Sequence, residues 1–69
     1  MNFEIKEQVE DLLKNNSQGL TLQEIADKLE FSPVTISIAL AGLQGEGKLD
    51  IRQVGRAKLH SLKLEALED

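Results

Sequence analysis

Few side chains in this chain can do covalent chemistry. Among 69 residues there is one histidine, His60, and no cysteine, tyrosine or tryptophan. A zinc site takes three or four ligands of suitable type, and one imidazole with scattered carboxylates does not supply them. Asp27 and Glu30 stand at helical i, i+3 spacing, as paired acids would, but on an exposed helix that spacing describes a solvated face. Gly45-Glu46-Gly47 ends a helical pattern and does not open one, so it is no phosphate-cradling loop. The expectation is a protein that is not an enzyme and carries neither metal nor cofactor.

What remains is non-covalent recognition, and the charge distribution shows where. Residues 1–47 hold eight acids against three lysines, a balance of −5, whereas residues 48–63 hold five cations against Asp50, a balance of +4. The whole chain is at −4. Lys48, Arg52, Arg56 and Lys58 gather in the basic segment, and such a group can neutralise phosphates or reach into a minor groove. The competing reading is a solvated strand edge, charged to stay soluble and to avoid pairing. Upstream, Ser32, Thr35, Ser37 and Gln44 can hydrogen-bond, and Val34, Ile38 and Ala41 lie among them; Ile38 or Ala41 can touch a thymine methyl.

These residues must be held by elements whose boundaries are marked locally. Thr21 and Glu24 have the spacing of a capping box. Ser32-Pro33 is an N-cap followed by proline at the first helical position, where its missing N–H costs nothing. Leu20 with Ile25, and Phe31 with Ile36, stand at hydrophobic-staple spacing. Two helix starts eleven residues apart leave room for a short helix and a sharp corner, which is a helix-turn-helix. Periodicity places helix 1 at about 3–15, with Ile5, Val9, Leu12 and Leu13 inward, helix 2 at about 22–29 and helix 3 at about 33–45. The period then becomes two, giving strands at about 48–54 and 57–64 around a Gly55-Arg56 turn.

The ordered string Leu20-Thr21, Glu24-Ile25-Ala26, Leu29, Ser32, Ile36, Leu40, Leu43 and Gly47, followed by Gly55-Arg56 and His60-Ser61-Leu62, resembles the winged helix-turn-helix domains of prokaryotic transcription regulators. The resemblance covers nearly the whole chain. It implies an α+β fold, a three-helix bundle followed by a two-stranded β-hairpin wing. It further implies double-stranded DNA as partner, with helix 3 in the major groove and the wing on the backbone or minor groove. It also places His60 at the root of the wing, where the family often has tyrosine. The chain departs from the pattern twice. The outer face of helix 3, Val34, Ile38, Ala41 and Gly42, lacks the basic or amide residues that usually read bases, and Glu30 occupies a corner that usually takes glycine. The uncharged face supports a second reading, a module that docks on protein through helix 3. Small stand-alone winged-helix proteins linked to ferrous iron transport are a precedent for that reading, although their typical cysteines are absent.

Size and composition agree with one domain over 1–69. A chain this short buries only about 60% of its unfolded surface, so it has a single core. The apolar share of 41% suits a globule. The acidic start does not read as a signal peptide, no apolar run is long enough to span a membrane, and the lack of cysteine fits a cytoplasmic location. Met1 reads as a natural start. A homodimer is expected, because one module with few cations binds DNA weakly; helix 1 or the 62–67 tail is the candidate interface.

Overall fold

The computed structural model describes residues 5–63. In chain order it contains α1 (Ile5–Lys14), α2 (Leu22–Leu29), α3 (Pro33–Gly45), β1 (Leu49–Val54) and β2 (Ala57–Leu62), with β1 and β2 paired antiparallel. This is the expected α+β arrangement of three helices and a hairpin wing. Residues 64–67 of the tail, offered above as part of a dimer interface, lie outside the described residues.

Each helix of the central pair starts where the local chemistry demands. Thr21 is extended (φ −77°, ψ 162°) and its hydroxyl accepts from the Glu24 amide at 3.2 Å, while the Glu24 carboxylate accepts from the Thr21 amide at 2.9 Å. Two N–H groups left over at the helix start are thereby satisfied. Ser32 caps α3 in the same way, accepting from the Thr35 amide at 3.2 Å, and Pro33 follows. Thr21→Ala is expected to cost about 0.5–2 kcal/mol in chemical denaturation, the usual worth of an N-cap.

The corner between α2 and α3 turns on Glu30, which is left-handed at φ 63°, ψ 41°. That conformation lets the Phe31 amide donate to the Ala26 carbonyl at 3.1 Å and closes the end of α2. A residue with a Cβ is strained there, so Glu30→Gly is expected to stabilise the chain by roughly 0.5–1 kcal/mol. A denaturant melt with no gain would contradict this account of the corner.

The inward stripes meet in one core. Val9 and Leu13 from α1, Ile25 and Ala26 from α2, and Ile36, Ala39, Leu40 and Leu43 from α3 pack with Leu20, Leu49 and Leu62. Leu12, Leu22, Leu29 and Phe31 are half-buried around it. Because α3 lies against α1, α2 and β1, its buried face is the common wall of the molecule.

The hairpin register pairs Leu49 with Leu62, Ile51 with His60 and Val54 with Ala57. Gly55 has φ 62° and Arg56 is not left-handed, the pattern of a type II′ turn. Leu20 extends the sheet on the far side of β2: its amide donates to the His60 carbonyl at 3.0 Å, and the His60 amide donates to the Leu20 carbonyl at 2.7 Å. Gly19 is required beside this bridge, since it has φ 98° and a Cβ there would lie 3.0 Å from Leu59 Cβ. Leu20 thus ties the root of the wing to the start of α2.

A set of ion pairs joins α1, the end of α3 and the start of the hairpin. Lys6 pairs with Glu46, while Lys48 lies 3.5 Å from Glu46 and 3.7 Å from Glu10. The hydrogen bond from Lys6, with the nearby Lys48 charge, holds the Glu46 carboxyl below its usual value of 4.5. A carboxyl whose pKa is lower in the folded chain adds stability above pH 4.5, and that contribution is lost as pH falls through the lowered value. The Tm difference between wild type and Glu46→Gln is therefore expected to be present at pH 7 and to vanish in stronger acid.

Candidate nucleic-acid interface

On α3 the outer face is apolar and uncharged. Val34 and Ile38, one turn apart, are each 69% exposed. Ser37, Ala41 and Gln44 are exposed beside them. Gly42, placed by the helical wheel on this outer face, is half-buried and faces α1: a Cβ there would lie 3.1 Å from Lys6 Cδ. It belongs to the seam between α1 and α3, because a position about 120° from the buried stripe is covered when a neighbouring helix lies on that flank. Ser32 is committed to capping, and its hydroxyl lies 3.0 Å from that of Thr35. Ser32 and Thr35 therefore hold the start of α3 and have less freedom to bond elsewhere.

A concave cleft of about 590 Å³ opens between the start of α2, one flank of α3 and the inner face of the hairpin. Its polar lining comes from Thr21, Gln23, Ser37, Gln44, Arg56, Lys58 and His60, and none of its lining residues is acidic. In a chain of net charge −4, a cleft with two cations and no acid favours an anion. Of the residues expected from the sequence to meet DNA, Ser37, Ala41, Gln44, Arg56 and Lys58 line this cleft; Thr21, Gln23 and Ile51 join them without being expected there. The signal available was the helix start itself, since the first turn of α2 is carried to the hairpin by the Leu20–His60 bridge.

The hairpin divides the four cations. Residues paired across strands share a face, and faces alternate along a strand. Ile51, His60 and Lys58 thus share the inner face, while Arg52, opposite Leu59, projects from the other. Arg56 stands at the turn and reaches the cleft. Lys48 is engaged with Glu10 and Glu46 at the opposite end of the hairpin. Arg56 and Lys58 are consequently the cations that face α3.

His60 is buried, and its Nδ1 lies 3.1 Å from the Leu20 carbonyl. A carbonyl only accepts, so in this hydrogen bond Nδ1 carries the proton. The ring's second role is packing at the root of the wing. Among the described residues no group of three His, Cys, Asp or Glu side chains could hold a metal ion, and no helix is long and apolar enough to cross a membrane. On α2 the exposed face carries Asp27, which accepts from the Gln23 amide at 3.1 Å, together with Glu24 and Glu30.

Three helices, a sharp corner between the second and third, and a hairpin standing against the third define a winged helix-turn-helix domain. No protein-family model matches the sequence, and no curated protein matches it. Solved structures do. MepR, a transcription regulator of the Staphylococcus aureus multidrug efflux pump MepA, superposes with a TM-score of 0.85 at 23% identity, over 91% of this chain and 48% of its own. Two variants of Lactococcus lactis ZitR superpose with TM-scores of 0.81 and 0.75 at 25% and 27% identity, over 97% of this chain and 50% of theirs. The chain spans about half the length of these proteins.

Proposed function

We propose that this chain is a DNA-binding module of a transcription regulator, a single winged-helix domain over residues 1–69 that takes double-stranded DNA. In this reading α3 enters the major groove with Ser37, Ile38, Ala41 and Gln44 toward the base edges, Thr35 and Val34 at its leading end. Arg56 and Lys58 neutralise the phosphates that pass through the cleft, and Arg52 is a peripheral contact from the far face of the hairpin. The observation that carries the reading is the convergence of Ser37 and Gln44 with Arg56 and Lys58 in one acid-free cleft. MepR is a transcription regulator on the same fold, which gives the reading a precedent.

Fluorescence anisotropy with a mixed-sequence duplex tests it. Submillimolar binding at low salt that weakens steeply as salt rises is expected, and each of Arg56→Ala and Lys58→Ala should make the salt slope shallower by about one unit. Ser37 and Gln44 substitutions should instead change which sequence is preferred. No binding at low salt would remove the proposal.

The exposure of Val34 and Ile38 favours one second reading, docking on a protein through the smooth face of α3. Ile38→Glu separates the two. A duplex-binding chain that loses affinity on Arg56→Ala supports the first, whereas an interaction blind to Arg56→Ala and abolished by Ile38→Glu supports the second.

A further inference from the structure

The outer edge of β1 is open. A two-residue turn makes its flanking pair, Val54 and Ala57, a hydrogen-bonded pair, and such pairs alternate along an antiparallel ladder. Asp50, Arg52 and Val54 therefore aim their backbone groups at β2, and Leu49, Ile51 and Gln53 aim theirs outward. Three observed bonds fix this parity. His60, opposite Ile51, gives its amide and carbonyl to Leu20 on the far side of β2, and the Lys63 amide donates to the Lys48 carbonyl at 2.9 Å. Among the described residues no hydrogen bond occupies the outward groups of Leu49, Ile51 and Gln53.

We infer that this edge pairs with the same edge of a second copy, related by a two-fold axis through Ile51, to form a four-stranded antiparallel sheet. Registers centred on Ile51 or on Arg52 both satisfy the ladder and use the strand nearly end to end. Centring on Arg52 would set it directly against its own copy, a repulsive pair, so the register is centred on Ile51. It sets Leu49 opposite the partner's Gln53 and Ile51 opposite the partner's Ile51. It also sets Asp50 directly opposite the partner's Arg52, twice by symmetry. These are non-hydrogen-bonded pairs, in which facing side chains approach most closely.

The charge pattern is therefore self-complementary, which argues for a second copy over an unrelated strand. Neither Asp50 nor Arg52 has an ion-pair partner within the described residues. Edges are protected from pairing by charges, proline or a bulge. β1 has no proline and an unbroken register, and its two charges, Asp50 and Arg52, are of opposite sign and meet as attractive pairs in this register. Ile51 and Val54 remain 39% and 53% exposed, apolar area that pairing would cover. The axis is perpendicular to the sheet, so both copies turn the same hairpin face, and with it the cleft, to one side. This inference does not depend on DNA binding.

Five paired residues a side make a small interface, so the dissociation constant is expected to be about 100 μM. Sedimentation equilibrium without DNA, from about 10 μM to 1 mM, reads it. Asp50→Arg and Arg52→Asp each replace two attractive cross-strand pairs by two repulsive ones and should weaken self-association about tenfold. The double variant Asp50→Arg/Arg52→Asp recreates opposed charges and should restore it. Ile51→Pro removes only an outward N–H, so it should leave a folded monomer by circular dichroism. A wild type that is monomeric at 1 mM, or a dimer whose double variant is no better than the singles, overturns the proposal. If Ile51→Pro fails to fold, the charge exchange decides alone.

Discussion

Leu43→Ala is expected to leave a large fraction of the chain unfolded without denaturant. Leu43 is fully buried on the face of α3 that forms the common wall between α1, α2 and the hairpin. Truncating a leucine in such a position removes about 2–5 kcal/mol, the transfer free energy of the lost carbons plus the cavity they leave. A domain of this size holds only about 3–10 kcal/mol in total. The wall cannot collapse easily, because Ile36, Leu40 and Leu13 around it are held on two helices. A urea melt measures the effect. Val34→Ala, on the same helix but 69% exposed, should change stability by less than about 0.5 kcal/mol. If both substitutions gave the same small shift, α3 would not be the wall described.

The second large effect is on duplex binding. The double variant Arg56→Ala/Lys58→Ala is expected to bind mixed-sequence DNA about a hundredfold more weakly near 50 mM salt. Each phosphate contact contributes a slope of about 0.9 in log K against log salt, so two lost contacts amount to about two decades at that concentration. The curve should also flatten by about two units of slope and approach the wild type at high salt. Arg52→Ala is the internal control, because Arg52 leaves the hairpin on the face away from α3. Its effect on DNA should be smaller than that of Arg56→Ala, while its effect on self-association should be larger. Equal losses from Arg52 and Arg56 would mean that the duplex does not lie in the cleft.

Local chemistry was legible in the residues because it acts over a few positions. The Thr21–Glu24 box and the Ser32-Pro33 start are each complete within four residues, and both are formed as read. The corner at Glu30 was legible as a conflict between a position that favours glycine and a residue with a Cβ. The structure resolves it with a left-handed glutamate, since the corner closes α2 and delivers Phe31 to the core. Gly42 was misread, because a helical wheel knows the buried stripe of its own helix and not where the next helix lies. The four cations were read as one group, because spacing along the chain does not tell which face of a hairpin a residue takes until the register is known.

Residue order was enough for three capped or periodic helices, a corner and a hairpin, which follow from hydrogen bonds and apolar repeats between near neighbours, and for a basic segment over 48–63. Tertiary structure alone decided which charges are free. Lys48 is drawn to Glu10 and Glu46, residues remote or adjacent in the chain that meet only when α1 and α3 pack. It alone placed Ser37, Gln44, Arg56 and Lys58 around one cleft, and it alone left the β1 edge open, because Leu20 joins the sheet on the other side. The reason is physical: caps and periods are set by contacts a few residues apart, whereas a cleft or a strand edge is set by which distant segments share a face.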